Sequence, residues 1–193
     1  MLEVEVLKEA GYEQAVKGLS LSHRLRFVDS ADVARLEKVA YNLCDKDGGH
    51  NKFLESMMIW AEIKAPRYWW QDFDTYRVGM TKQSESTIHT IMKRRLVQED
   101  FVEPIPDLWL SYLNTLIDDY SVGKSKKLFR TVKNLLPEGY LQKRIACFNY
   151  KCFRNIMHQR KGHALKEWEI FIKDTLKQLE HAELLTKDYD YEN

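Results

Sequence analysis

Residues Gly49 to Thr87 read GHNKFLESMMIWAEIKAPRYWWQDFDTYRVGMTKQSEST. The first part, Ser56 to Ile63, is rich in Met, Ile and Trp with one acidic residue, a composition that suits a mostly buried strand better than a short helix. Pro66 stops that strand. Proline at a first helical position has its φ already set and no N–H to leave unpaired, so Arg67 to Arg77 is expected to be a helix entered at Pro66 and ended by Gly79. Met80 to Thr87 then holds two Thr, two Ser, Lys82 and Gln83, ahead of a second expected helix, Ile88 to Gln98. Hydroxyls and backbone N–H groups at a helix start can hold an anion, or can simply cap the helix; the pattern alone favours the cap.

Working outward toward the N-terminus, Asp45 to Gly49 reads as a turn, and Ala31 to Leu43 as a helix capped by Asp29-Ser30. Val33, Leu36, Val39, Ala40 and Leu43 form its apolar stripe. His23 to Arg26 is a short basic patch, Tyr12 to Leu21 a weak helix, and Leu2 to Leu7 a strand with one wet face, broken by Gly11. In the other direction, Val102 to Pro106 is a loop. Helices are expected from Asp107 to about Asp119 and from Lys124 to Leu136, the latter stopped at Pro137. Tyr140 to Phe148 mixes aromatic, β-branched and basic residues and is the second main strand. Asn149 to Arg160 reads as a helix on which Lys151, Asn155 and Gln159 recur every fourth residue. Its amides and cations suit either a flat polar ligand or plain solvation. Ala164 to Leu179 resumes as a helix around Trp168, Phe171 and Leu176.

The chain has 193 residues, enough for a single α/β domain over 1–187 with a central mixed sheet flanked by helices, followed by a frayed acidic tail at 188–193. With 30 basic and 29 acidic residues the net charge is +1, which gives no general pull toward nucleic acid or membrane. No apolar run nears the roughly eighteen residues of a spanning helix, and the charged N-terminus is no secretory signal, so a cytoplasmic location is expected. Cys44, Cys147 and Cys152 are an odd number without metal-type spacing, so neither a disulfide framework nor a metal site is expected, and Cys147 and Cys152 read as core residues rather than nucleophiles. Trp60, Tyr68, Trp69, Trp70, Phe73 and Tyr76 read as core or subunit interface, or as a platform on which bases stack.

Two segments together resemble the flavin-dependent thymidylate synthase family. Members carry a His, four residues, a Glu, an apolar strand ending Ala-Pro, and a helix leading to Arg-His-Arg; here His50, Glu55, Ala65-Pro66 and Thr75-Tyr76-Arg77 stand at matching spacing. Only the last arginine of that triplet is kept. The family's Ser-rich turn has its nearest match in Thr81 to Ser86, after one inserted residue. Further on, Leu-Pro followed by Asn-x-Arg-x-x-x-Asn-x-x-x-x-Arg and His-Ala is matched by Leu136-Pro137, Asn149, Lys151, Asn155, Arg160 and His163-Ala164. These segments cover about a third of the chain, in the family's order. The change from Arg to Lys at 151 gives up a planar two-pronged donor.

The resemblance implies FAD, NADPH and methylenetetrahydrofolate acting on dUMP or a related pyrimidine nucleotide, in a homotetramer with sites at subunit interfaces. It implies that His50, Thr75, Tyr76, Arg77, Asn149, Lys151, Asn155 and His163 bind the cofactor. Gln71, Lys82, Gln83, Ser84, Ser86 and Arg160 would take the nucleotide, with Arg160 also catalytic by stabilising charge on the pyrimidine. An alternative is a catalytically silent relative that binds a nucleotide or a partner protein through the same pocket.

Overall fold

The computed structural model describes residues 1–23 and 30–189. The strands are β1 (Glu3–Ala10), β2 (Met58–Pro66), β3 (Met80–Ser84) and β4 (Leu141–Asn149). The helices are α1 (Tyr12–His23), α2 (Ser30–Leu43), α3 (Arg67–Phe73), α4 (Thr87–Thr90), α5 (Asp107–Gly123), α6 (Lys126–Leu135), α7 (Tyr150–Arg160), α8 (Glu167–Leu176) and α9 (Glu183–Thr186). The expected α/β class is what the chain adopts, with one sheet ordered β1-β2-β4-β3. Pairing within it is antiparallel where a mixed sheet was expected. Arg67 N–H bonds Tyr140 O while Tyr150 N–H bonds Met57 O, and Asn149 N–H bonds Gly79 O while Glu85 N–H bonds Lys143 O, so in each pair one strand rises in number as the other falls.

β2 alternates as a half-covered strand should, with Ile59, Ala61, Ile63 and Ala65 fully buried. Gly11, which ends β1, has φ +97° and lies so close to Ser56 that a Cβ would sit 2.3 Å from that carbonyl oxygen. Only glycine fits there.

The chain forms two compact units. The first comprises Met1–Glu3, Ile63–Thr75 and Gln83–Arg144. Its core gathers Ile91, Leu96, Phe101, Leu113, Ile117 and Val132. Trp69, Trp70 and Phe73 on α3 are fully buried, Trp70 donating from Nε1 to Gln142 O at 2.9 Å, so these rings are packing rather than a base-stacking platform. The second comprises Val4–Glu62, Tyr76–Lys82 and Ile145–Asn193. Phe148, Phe153 and Phe171 meet there with ring centroids 5.5 to 6.0 Å apart.

Several boundaries differ from the sequence reading. α3 stops at Phe73, four residues early, with Asp74 N–H closing on Trp70 O. Met80 to Ser84 is an edge strand rather than a capping turn. The helix expected from Ile88 to Gln98 shrinks to α4 because side chains intercept the backbone donors it would need. Asn114 Oδ1 accepts from Leu96 N–H at 2.7 Å and Asp100 Oδ2 from Val97 N–H at 2.9 Å. α5 runs past Asp119 to Gly123, and Lys124 in the left-handed region (φ 46°) separates it from α6. α8 begins only at Glu167, since the ring of His163 takes the Leu165 N–H at 3.1 Å. The patch from His23 to Arg26, the Asp29-Ser30 cap and the last four residues of the tail lie outside the described residues or rest on them. Within the tail, Asp188 pairs with Arg154.

Candidate functional site

Most of the candidate residues lie in the second unit, around the end of β4 and the length of α7. β4 passes directly into α7 at Asn149, whose Oδ1 accepts the Cys152 N–H at 2.8 Å and so caps the helix. The Asn149 side chain is packed on Gly79: a Cβ built there would lie 2.6 Å from Nδ2, and Gly79 holds φ +73°. Gly79→Ala therefore combines backbone strain with displacement of the cap. We expect a loss of about 2 to 4 kcal/mol, from the ~1–3 kcal/mol of a strained φ plus the ~1 kcal/mol of a cap, read as a lower urea midpoint with an unchanged slope.

The far end of α7 carries the polar centre. Tyr76 is 9% exposed and joins three partners. Its hydroxyl donates to Gln159 Oε1 at 3.0 Å and accepts from Arg160 Nε at 2.8 Å, while its carbonyl accepts from Lys82 Nζ at 3.1 Å. Gln159 in turn donates to Asn155 Oδ1 at 3.2 Å. The Arg160 guanidinium lies over Trp168, 4.6 Å from the ring centroid, and over Tyr76 at 5.3 Å. Such stacking fixes its plane.

His163 completes the group. Its two ring nitrogens each lie 3.1 Å from a donor, Nδ1 from the Leu165 N–H and Nε2 from Arg160 Nη1, and a neutral ring accepts at one of them, so the tautomer decides which bond is made. The imidazole thus stands directly beside the stacked guanidinium, a cation whose flat fork suits a phosphate or carboxylate oxygen.

Other candidates are placed differently. Lys151 Nζ is paired with Glu55 Oε1 at 2.7 Å, linking the two matched segments. His50 and Arg77 are exposed. In the first unit, Thr75 donates from its hydroxyl to Asp72 O at 2.7 Å and Gln71 to Glu138 at 2.9 Å; Gln83 and Ser84 are exposed on β3, and Ser86 precedes a helix of only four residues. The last point weakens the anion reading of that turn, because a single turn sums little dipole. Cys152 is near enough to Lys82 to feel its charge, yet burial dominates and pushes the thiol up to about 11, which keeps it protonated at neutral pH. A cavity of about 370 Å³ in the same unit is lined by Tyr12, Glu37, Tyr41, His181 and Glu183, none of them a candidate. Trp168 and Gln159 belong to the centre but were read as packing and solvation. For Gln159 the signal was its position on the Asn155 face; for Trp168 none was visible.

The chain has the fold of the flavin-dependent thymidylate synthases. In particular it is similar to thymidylate synthase X from Helicobacter pylori solved with FAD and dUMP, at 16% identity, with all of both chains covered and a TM-score of 0.79. A second structure of the flavin-dependent thymidylate synthase of that organism, complexed with FAD and dUMP, gives 17% identity over 96% of this chain and 98% of that one, with a TM-score of 0.78. No family model and no curated protein matches the sequence. Among the described residues no helix is long and apolar enough to cross a membrane.

Proposed function

We propose that the protein is a divergent FAD-dependent thymidylate synthase-like enzyme that reductively methylates dUMP or a related pyrimidine nucleotide, using methylenetetrahydrofolate and NADPH. The observation that carries this reading is the Arg160 guanidinium, stacked over Trp168 and Tyr76 and beside His163, within a fold whose similar solved structures hold FAD and dUMP. The donor set fits ligands of this kind. Lys82, Lys151 and Arg160 are cations for phosphates and carbonyls, Asn155 and Gln159 are amides for a heterocycle edge, and Tyr76 and Trp168 offer aromatic support.

Bound FAD would supply the redox chemistry, as cofactors do. The residues of the chain bind and orient. Arg160 stabilises negative charge on a pyrimidine carbonyl oxygen; Tyr76 holds Arg160 in line. Lys82 takes nucleotide phosphate. Arg77 and Lys151 take cofactor phosphate, Lys151 by exchanging Glu55 for it, with His50 and Asn155 at the cofactor edge. The working form is a cytoplasmic homotetramer.

A silent nucleotide-binding relative is the second reading, favoured by the Lys151–Glu55 pair, which already neutralises one cofactor cation. The test is purified protein assayed for flavin absorbance, for melting temperature with FAD and with dUMP, and for NADPH oxidation in air. FAD at a hundred times its dissociation constant adds about 2.7 kcal/mol, or roughly 5 to 11 °C at this chain length. Stabilisation by dUMP with no flavin and no oxidation selects the silent relative. Colourless protein that neither ligand stabilises ends both.

A further inference from the structure

The near-neutral balance of the whole chain hides one strongly uneven surface. From Gly123 to Leu136 the sequence GKSKKLFRTVKNLL has five cations and no acidic residue. On α6, Lys126 and Arg130 are four apart and Lys127 lies on the adjoining face, so with Lys124 just before the helix they form one basic side. All four are exposed, and none makes an ion pair among the described residues. This is unusual within the first unit, where Arg67 pairs with Glu138, Arg94 with Asp100, Arg95 with Asp118 and Arg144 with Asp74. The fifth cation, Lys133, is set apart: it is half-buried against the Thr87 hydroxyl.

Concentrating like charge without counter-charge is unfavourable unless something anionic relieves it. The opposite side of α6 is already committed. Val132 is fully buried, and Leu128, Phe129 and Leu135 pack on the core of the unit, so the helix has no apolar face left to sink into a membrane. A partner must therefore be recognised by charge alone and must offer several anions in a row.

We infer that the outer face of α6, through Lys124, Lys126, Lys127 and Arg130, is a docking surface for the phosphate backbone of a nucleic acid. Binding here is electrostatic and independent of base sequence, with one phosphate for each cation.

The experiment is fluorescence anisotropy of the full chain with labelled 20-nucleotide single-stranded and duplex DNA and RNA, across a salt series. Neutralising four phosphates of a single strand gives a log–log salt slope of about −3, a loss of roughly fifty-fold between about 50 and about 200 mM salt. Lys126→Gln/Lys127→Gln/Arg130→Gln should bring the slope to about −0.7 and weaken binding at the lowest salt at least tenfold, to order of magnitude. Lys8→Gln/Lys17→Gln/Lys46→Gln changes net charge equally and should retain the parent slope. Circular dichroism and melting temperature check that both variants are folded. Equal behaviour of the two triple variants overturns the inference. So does binding to vesicles carrying phosphatidylserine with none to any of the nucleic acids, or no binding to any of them at low salt.

Discussion

Arg160→Ala is expected to leave a folded protein that has lost nucleotide recognition and turnover. The guanidinium is half-buried, with its plane fixed by Tyr76 and Trp168, so it can meet developing charge without reorganising. Removing one such donor from a charge-stabilising site costs about 10² to 10³ in kcat, or ~2.7 to 4 kcal/mol of transition-state stabilisation. The same change takes the bond that the Tyr76 hydroxyl accepts. Arg160→Lys keeps the charge but not the stacked plane, and should recover only a small part of the lost rate. The measurement is kcat and KM for dUMP methylation in parallel with nucleotide-induced melting shifts. Arg160→Ala with parental turnover would remove this residue from the chemistry. Growth of thymidine-requiring cells carrying the variant would say the same in vivo.

The second large effect is on stability. Trp168 is fully buried and contacts Tyr76, His163 and Phe171 with ring centroids 5.9, 6.3 and 6.0 Å away. Trp168→Ala should cost about 3 to 5 kcal/mol through lost burial and the cavity left behind, a fall in melting temperature on the order of 10 °C. It should also unseat Arg160, so nucleotide affinity falls in protein that remains folded. Trp168→Phe fills most of the volume and offers a ring to the guanidinium, and should restore most of both. Equal nucleotide affinity in Trp168→Ala and the parent would show that stacking does not position Arg160.

Much of this could be read from residue order. β2 announced itself by its Met-, Ile- and Trp-rich run and Pro66, α7 by its four-residue recurrence from Lys151 to Gln159, and β4 by its aromatic and β-branched content. Arg160, His163, Asn155 and Tyr76 were legible as candidates through the resemblance of their motifs to those of the flavin-dependent thymidylate synthase family. What escaped were features set by contacts distant in sequence. β3 looked like a polar turn because an edge strand buries little, and its pairing with β4 supplies the order that its composition lacks. The long helix after it failed because Asn114 and Asp100 capture backbone groups of Leu96 and Val97, one of them from eighteen residues away.

The amino-acid order by itself determined most of the element types and the spacing of polar groups along α7, since those depend on neighbours within a few residues. Tertiary structure alone decided that Tyr76 meets Arg160 across 84 positions of sequence, that Trp168 lies under the guanidinium, and that Glu55 rather than solvent faces Lys151. Such pairings come from the antiparallel register that brings Gly79 beside Asn149, which no periodicity within one segment encodes.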